Sequence, residues 1–109
     1  VFTVFPLHSR GYFGLSIFLI KYMMEELKAI FKEEISEELS NLKKGYTQHD
    51  YEMVVKVAHK VKSASGMMGF MDLMKKAEQI ENIYRHGEGE RNDALIQDLI
   101  TDLETTLKT

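Results

Sequence analysis

The sequence predicts an all-α fold, an antiparallel up-down-up-down four-helix bundle with an extra N-terminal segment that is either helical or irregular. Apolar residues recur every three or four positions along four segments, which is the spacing of amphipathic helices. No segment shows the sustained two-residue alternation of a half-buried strand. The segments are roughly 15 to 20 residues long and short turns join them, and short connections favour antiparallel neighbours.

The first helix is predicted to run from Met24 to about Gly45. Its apolar stripe consists of Leu27, Phe31, Ile35, Leu39 and Leu42. Lys43 and Lys44 complement the carbonyl end of a helix, and Gly45 permits a left-handed cap. These signals predict a helix end at this glycine.

The second helix is predicted to follow a capping signal, Thr47 with Asp50 three residues later. We expect it to end at Gly69, where a glycine permits the left-handed conformation. Its stripe consists of Tyr51, Val54, Ala58, Val61, Ser65 and Met68.

The third helix is predicted from Phe70 to about His86, with Gly87 after it. Its stripe continues through Leu73, Ala77, Ile80 and Tyr84. A short loop over residues 87–91 leads to Asn92, a plausible cap for the fourth helix. The fourth stripe consists of Leu95, Leu99, Leu103 and Leu107, broadened by Ile96 and Ile100.

Length, composition and charge exclude several classes of protein. A chain of 109 residues fits one domain. The absence of Cys excludes disulfide scaffolds, cysteine-ligated zinc, iron–sulfur clusters and thiol nucleophiles. The net charge of −3 argues against a nucleic-acid partner, which usually requires a basic surface. An acidic domain without Cys suits the cytoplasm.

Residues 1–23 differ in composition from the remainder, and we predict a domain boundary between residues 23 and 24. They contain two of the 14 basic residues and none of the 17 acidic ones, so residues 24–109 carry a net charge of −5. Residues 11–20 are uncharged, but this run is about half of the ~20 residues that a spanning helix needs. We therefore expect no membrane insertion, and interpret residues 1–23 as an accessory segment, a linker or an expression-derived extension.

The same segment carries a concentration of large apolar side chains within residues 11–20. If these side chains are exposed, they favour self-association. They are Tyr12, Phe13, Leu15, Ile17, Phe18, Leu19 and Ile20. An alternative interpretation is a membrane-associated fragment anchored by this run.

His59 is the most informative polar residue of the second helix. At about 100° per residue it lies roughly 130° from the centre of the apolar stripe, so it should face solvent. Lys62, Ser63 and Gly66 follow it on the same side of the helix. Small residues beside a reactive group leave space for the active site of another protein, and Lys62 is placed to neutralise a phosphoryl group on the imidazole.

Lys56 and Lys60 add positive charge near His59. An exposed histidine with lysine neighbours is also common on an ordinary solvated helix face. Geometry alone therefore leaves both a functional and a structural interpretation open.

Other catalytic arrangements are missing from the sequence. None of the four His occurs in an H-E-x-x-H or Glu-x-x-His spacing. The glycines at positions 66 and 69 are not followed by the Lys-Ser or Lys-Thr of a phosphate-binding loop. We therefore predict no bound cofactor or metal and no self-sufficient kinase activity.

The run from Ala58 to Phe70, AHKVKSASGMMGF, together with Leu73 and Glu81, resembles the signature of histidine-containing phosphotransfer (HPt) domains. The resemblance covers the chain from about Met24 to the end. The chain is particularly similar to the N-terminal phosphotransfer domain of chemotaxis-type histidine kinases in three features. These are the Gly-Phe pair, the Glu-Asn pair in the third helix and the acidic first helix.

The resemblance implies that His59 is phosphorylated and that Lys62 assists by its charge. It also implies that Glu81 hydrogen-bonds one ring nitrogen and leaves the other to take the phosphoryl group. A carboxylate on Nδ1–H fixes the tautomer and raises the nucleophilicity of Nε2. Two positions depart from the pattern: Ser63 replaces the usual Gly, which alters the docking of a receiver domain, and Glu78 stands where chemotaxis members often have a second His.

The sequence thus predicts a phosphorelay intermediate, either a separate protein or a domain of a histidine kinase. His59 is expected to accept a phosphoryl group from a kinase or a receiver aspartyl phosphate and to pass it to a receiver Asp, with Mg²⁺ held by the receiver. The residues expected to dock the partner are Lys56, Lys60, Ser63 and Gly66. The alternative from another class is a helical protein-interaction module without phosphotransfer.

Overall fold

The structure is a computed structural model that describes the backbone of residues 5–109 and the side chains of residues 14–109. It contains four helices: α1 (Phe5–Thr47), α2 (Tyr51–Met68), α3 (Met71–His86) and α4 (Asp93–Leu107). No strand occurs in the described part of the chain. The predicted all-helical class is confirmed over this range.

Helix α1 extends beyond both predicted limits. It already includes residues 5–23, because residues 21–24 contain no helix-breaking residue between the apolar run and the acidic segment. It also continues past Gly45 to Thr47. Gly45 is buried inside the helix, where an added Cβ would lie 3.2 Å from the carbonyl oxygen of Asp50. This glycine permits a close approach of two chain segments, and the prediction that it caps the helix was wrong.

The turn between α1 and α2 uses different residues from those predicted. The N-cap of α2 is Asp50, whose carboxylate accepts a hydrogen bond from the backbone N–H of Met53. Thr47 is the last residue of α1 and not the cap. The left-handed residue of this turn is His49, at φ 55°. Histidine is among the non-glycine residues that adopt this conformation more readily than most.

The remaining helix ends agree with the sequence signals. Gly69 and Gly87 adopt left-handed conformations after α2 and α3, at φ 77° and 68°. Asn92 caps α4 by accepting a hydrogen bond from the N–H of Ala94. Each cap satisfies a backbone group that the helix itself leaves without a partner.

Residues 31–109 form one compact unit, with an apolar core to which α1, α2, α3 and α4 all contribute. Burying one side chain of valine, leucine or isoleucine stabilises the fold by about 1.5–3 kcal/mol. The fully buried large side chains are Ile35, Leu42, Val54, Val61, Ile80, Ile96, Leu99 and Leu103. Of the predicted stripe residues, Leu27 and Phe70 are exposed.

Polar contacts connect α4 to the helices around it. Lys76 of α3 forms ion pairs with Asp98 and Asp102 of α4. Hydrogen bonds to Asp102 and Asp98 raise the pKa of Lys76, so its ammonium stays charged. Lys43 of α1 lies 3.5 Å from the carboxylate of Glu104.

An aromatic cluster holds the loop between α3 and α4. The rings of Tyr51 and Tyr84 stack at 5.1 Å, and the guanidinium of Arg91 lies 5.0 and 5.4 Å from their centroids. The Tyr84 hydroxyl donates a hydrogen bond to Asp93. Burial and this hydrogen bond raise the pKa of Tyr84 to about 12, so the phenol remains a donor.

The other unit ends at Ile30, and its described part begins at Phe5. Nearly all described side chains of residues 14–30 are exposed, including Leu15, Ile17, Phe18, Leu19 and Ile20. The side chains of Tyr12 and Phe13 lie outside the described ones. In the described residues, no helix combines the length and apolar character needed to cross a membrane. Self-association through residues 11–20 and the boundary after residue 23 stay predictions.

Candidate functional site

Helix α2 presents His59 at the surface because its opposite face is fixed in the core. Ala58 and Val61, beside His59, are fully buried. The caps at Asp50 and Gly69 fix the two ends of the helix. The side chain of His59 is 53% exposed, so a group on another protein can reach the ring.

Glu81 of α3 lies against the inner side of the imidazole. Its neighbours Ile80 and Tyr84 face the core, and the Glu81 side chain is only 5% exposed. Its Oε2 atom lies 2.7 Å from Nδ1 of His59, and its Oε1 atom accepts a 2.6 Å hydrogen bond from Nζ of Lys62. The structure therefore brings together three of the predicted site residues in one hydrogen-bonded group.

The charge state of Glu81 determines which nitrogen of His59 is reactive. Burial alone raises a carboxyl pKa, but hydrogen bonds from Lys62 and His59 outweigh this effect and lower the pKa of Glu81 below its ordinary value of 4.5. An ionised carboxylate only accepts hydrogen bonds, so the contact requires a proton on Nδ1 of His59. In the neutral ring, Nε2 then carries the free lone pair.

The other two predicted lysines are also beside carboxylates. Nζ of Lys56 lies 3.9 Å from Glu52, one turn earlier on α2, and both side chains are exposed. Nζ of Lys60 lies 3.4 Å from Glu38 of α1, whose side chain is 5% exposed. Lys60 therefore compensates a buried charge, and the positive cluster predicted around the histidine is partly neutralised.

The small residues lie along the same helix as the histidine. Ser63 is exposed, and Gly66 is half-buried. An added Cβ on Gly66 would lie 3.2 Å from the sulfur of Met74. Glu78, at the position where chemotaxis members often have a second His, is exposed on α3.

Sequence reasoning missed two charged residues near the site. Nη1 of Arg85 lies 3.4 Å from Oε2 of Glu81, the atom that also contacts His59. The i, i+4 spacing of an acidic and a basic residue on one helix was a signal for this contact. Glu38 gave no such signal, because its burial depends on how α1 packs against α2.

No group of three or more His, Asp or Glu side chains in the described residues is arranged to hold a metal ion. The site thus consists of an imidazole, a carboxylate and basic side chains. Chemically, such a group can provide a nucleophile with one defined nitrogen and positive charge beside it.

The fold and the site together define a class of protein. It is a small helical domain with an exposed histidine whose ring is oriented by a buried carboxylate. The profile of the Hpt domain family matches residues 26–109. The chain belongs to this family, and its function lies in histidine phosphotransfer within two-component phosphorelays, where Hpt domains interact with kinases and response regulators. Comparison with curated proteins and with solved structures found no match to the chain.

Proposed function

We propose that His59 is the phosphoacceptor of this Hpt domain. The observation that carries the proposal is the 2.7 Å contact between Nδ1 of His59 and Oε2 of Glu81, beneath a ring that is otherwise open to solvent. The contact requires a proton on Nδ1, which leaves the lone pair of the neutral ring on Nε2. The Nε2 atom then attacks phosphorus without first losing a proton.

In the transfer, the Nε2 lone pair forms a bond to phosphorus while the bond from phosphorus to the donor oxygen breaks. The donor is a receiver aspartyl phosphate, which leaves as a carboxylate, or ATP held by a kinase domain, which leaves as ADP. The Nδ1 proton stays on the ring, hydrogen-bonded to Glu81. The reverse reaction passes the phosphoryl group to a receiver Asp.

Lys62 has a second role in this proposal. Its ammonium already contacts Glu81 and is partly exposed, so it can turn towards a phosphoryl group on His59 while it stays near the carboxylate. Positive charge beside the transferring group stabilises the negative oxygens. The partner supplies Mg²⁺ and the other catalytic groups, which is consistent with a chain that carries only part of the reaction.

The proposed docking surface is the exposed face of α2 around His59. Ser63 and Gly66 leave room for a receiver domain, and Lys56 and Lys60 lie at the edges of this face. We also infer the antiparallel up-down-up-down order of the helices. Contacts such as Gly66 with Met74 and Tyr51 with Tyr84, which join opposite ends of α2 and α3, support this arrangement.

A likeness to the chemotaxis-type kinases is supported by Glu81, which contacts the histidine as the resemblance implies. Ser63 and Glu78 depart from that subtype. We therefore place the site in the wider Hpt family first and in the chemotaxis subtype second. The cytoplasm remains the proposed compartment, where kinases and receivers of this kind operate.

The test is incubation with candidate kinases and phosphorylated receivers, followed by mass spectrometry of the peptide that holds His59. We expect an acid-labile, base-stable phosphoryl group on this residue and none in His59→Gln. The matched control is His86→Gln, which removes an exposed histidine from α3 and should leave labelling unchanged. If a competent partner set binds the chain but never labels His59, the domain is an interaction module and the proposal is wrong.

A further inference from the structure

We propose that Arg85 is a positioning residue for His59 and that it acts through the carboxylate of Glu81. The inference rests on the proposed function of His59, and it concerns how the reactive tautomer is maintained. Arg85 is one turn after Glu81 on α3, and its side chain is 43% exposed.

Arg85 and His59 both contact the same oxygen atom of Glu81, Oε2. Oε2 of Glu81 lies 2.7 Å from Nδ1 of the imidazole and 3.4 Å from Nη1 of Arg85. Lys62 contacts the other oxygen, Oε1, at 2.6 Å. The carboxylate is therefore contacted at both oxygens. Helix α2 supplies Lys62 at Oε1 and His59 at Oε2, and α3 supplies Arg85 at Oε2.

Lys62 alone does not fix the position of Oε2. The last torsion of a glutamate side chain is broad, so a carboxylate held at one oxygen can still turn. The guanidinium of Arg85, on the same helix, adds a second positive group beside Oε2, at 3.4 Å. We infer that Arg85 keeps Oε2 where it accepts the hydrogen bond from Nδ1–H of His59.

Arg85 also adds positive charge beside the buried carboxylate. Together with Lys62, it places two positive side chains within 4 Å of Glu81. The other charged side chains near the ring, Lys56 and Lys60, are beside Glu52 and Glu38 respectively.

The direct test is the tautomer of His59, measured by ¹⁵N NMR of the ring nitrogens in the full chain, with His59→Gln used to assign the signals. In the wild type we expect the Nδ1–H form of the neutral ring. In Arg85→Gln the population should shift towards the Nε2–H form that free histidine prefers, and Arg85→Lys should restore part of the difference. The matched control is Lys75→Gln, an equal charge change at an exposed residue of α3 without an ion pair among the described side chains.

A second measurement uses phosphoramidate as a small donor, so that no partner protein contributes. The Nε2 lone pair attacks phosphorus, the P–N bond of the donor breaks, and ammonia leaves. Because Arg85 is partly exposed, we expect Arg85→Gln to slow labelling by roughly threefold. Lys75→Gln should label at the wild-type rate.

The double variant with Glu81→Gln separates an effect through Glu81 from a direct one. If Arg85 acts through the carboxylate, Arg85→Gln should cause no further change in tautomer or rate once Glu81 is replaced. A wild-type tautomer in Arg85→Gln, or a further change in the double variant, overturns the inference. The NMR result does not require phosphorylation, so failure of this inference and failure of the proposed function are distinguishable.

Discussion

The carboxylate of Glu81 is a buried charge whose ionisation depends on its neighbours. Lys62 and His59 hold the pKa of Glu81 below the ordinary value of 4.5, although burial alone raises it. A lowered carboxyl pKa contributes stability that is fully present above the ordinary value and is lost as the pH falls through the folded-state value. Glu81 therefore links the stability of the domain to acid pH.

We expect the wild type to lose stability more steeply than Glu81→Gln below pH 4.5, because the glutamine does not titrate. The measurement is the free energy of unfolding in urea at a series of pH values from neutral to acid. Glu78→Gln, at an exposed residue of the same helix, should follow the wild-type slope. Parallel curves for the wild type and Glu81→Gln contradict the prediction.

Ser65 is a second residue with a stability consequence. It is fully buried on α2, and its hydroxyl has no hydrogen-bond partner among the described residues. A buried hydroxyl without a partner costs about 1–3 kcal/mol, so Ser65→Ala should raise the free energy of unfolding by about 1 kcal/mol. Chemical denaturation measures this change.

The matched control for Ser65→Ala is Ser63→Ala. Both changes bring the same gain in helix propensity, but Ser63 is exposed and its hydroxyl is solvated. The difference between the two variants isolates the cost of burial. An equal effect in both would show that the hydroxyl of Ser65 is satisfied.

Single residues also show where sequence reasoning succeeds. The helical period placed His59 on the solvent side of α2, and the family signature selected Glu81 as a neighbour that is distant in sequence. Arg85 was missed because Glu81 was considered only for its contact with the histidine. The burial of Glu38 depends on the packing of two helices, which a periodic pattern does not specify.

Among the helices, α2 to α4 were predicted well and α1 was not. Gly69, Gly87 and Asn92 act locally, so the sequence alone identifies the ends that they form. Gly45 carried the same signal but serves a tertiary contact, the close approach to the start of α2. A glycine that permits a cap and one that permits close packing look alike in a sequence.

Gly66 permits a test of α2 as a docking element. An added Cβ meets only the flexible end of Met74, at 3.2 Å, and alanine is favoured over glycine in a helix by about 1 kcal/mol. We expect Gly66→Ala to keep or raise the stability of the domain and to slow phosphotransfer to a receiver. Urea unfolding and single-turnover transfer measure the two effects.

Gly69→Ala provides the contrast for this experiment. Gly69 has φ +77°, where alanine is strained, so this variant should lose about 1 kcal/mol of stability. Gly66→Ala with an unchanged transfer rate would remove Gly66 from the docking surface.

At the scale of the whole chain, the large apolar side chains of residues 14–30 are exposed, whereas those of the compact unit of residues 31–109 form a buried core. We expect deletion of residues 1–23 to leave the helical fraction per residue and the labelling of His59 unchanged and to reduce concentration-dependent self-association. Circular dichroism, labelling and analytical ultracentrifugation measure these three properties. Equal self-association of the full-length and the truncated chain would exclude residues 11–20 as its cause.

The pairing of the basic side chains around His59 with carboxylates has a consequence for how a partner protein approaches the domain. Lys56, Lys60 and Lys62 each lie within 4 Å of an acidic group, as does Arg85. Paired charges produce a weak field beyond the Debye length of about 10 Å at moderate salt. The basic side chains around His59 therefore contribute little to long-range steering of a partner.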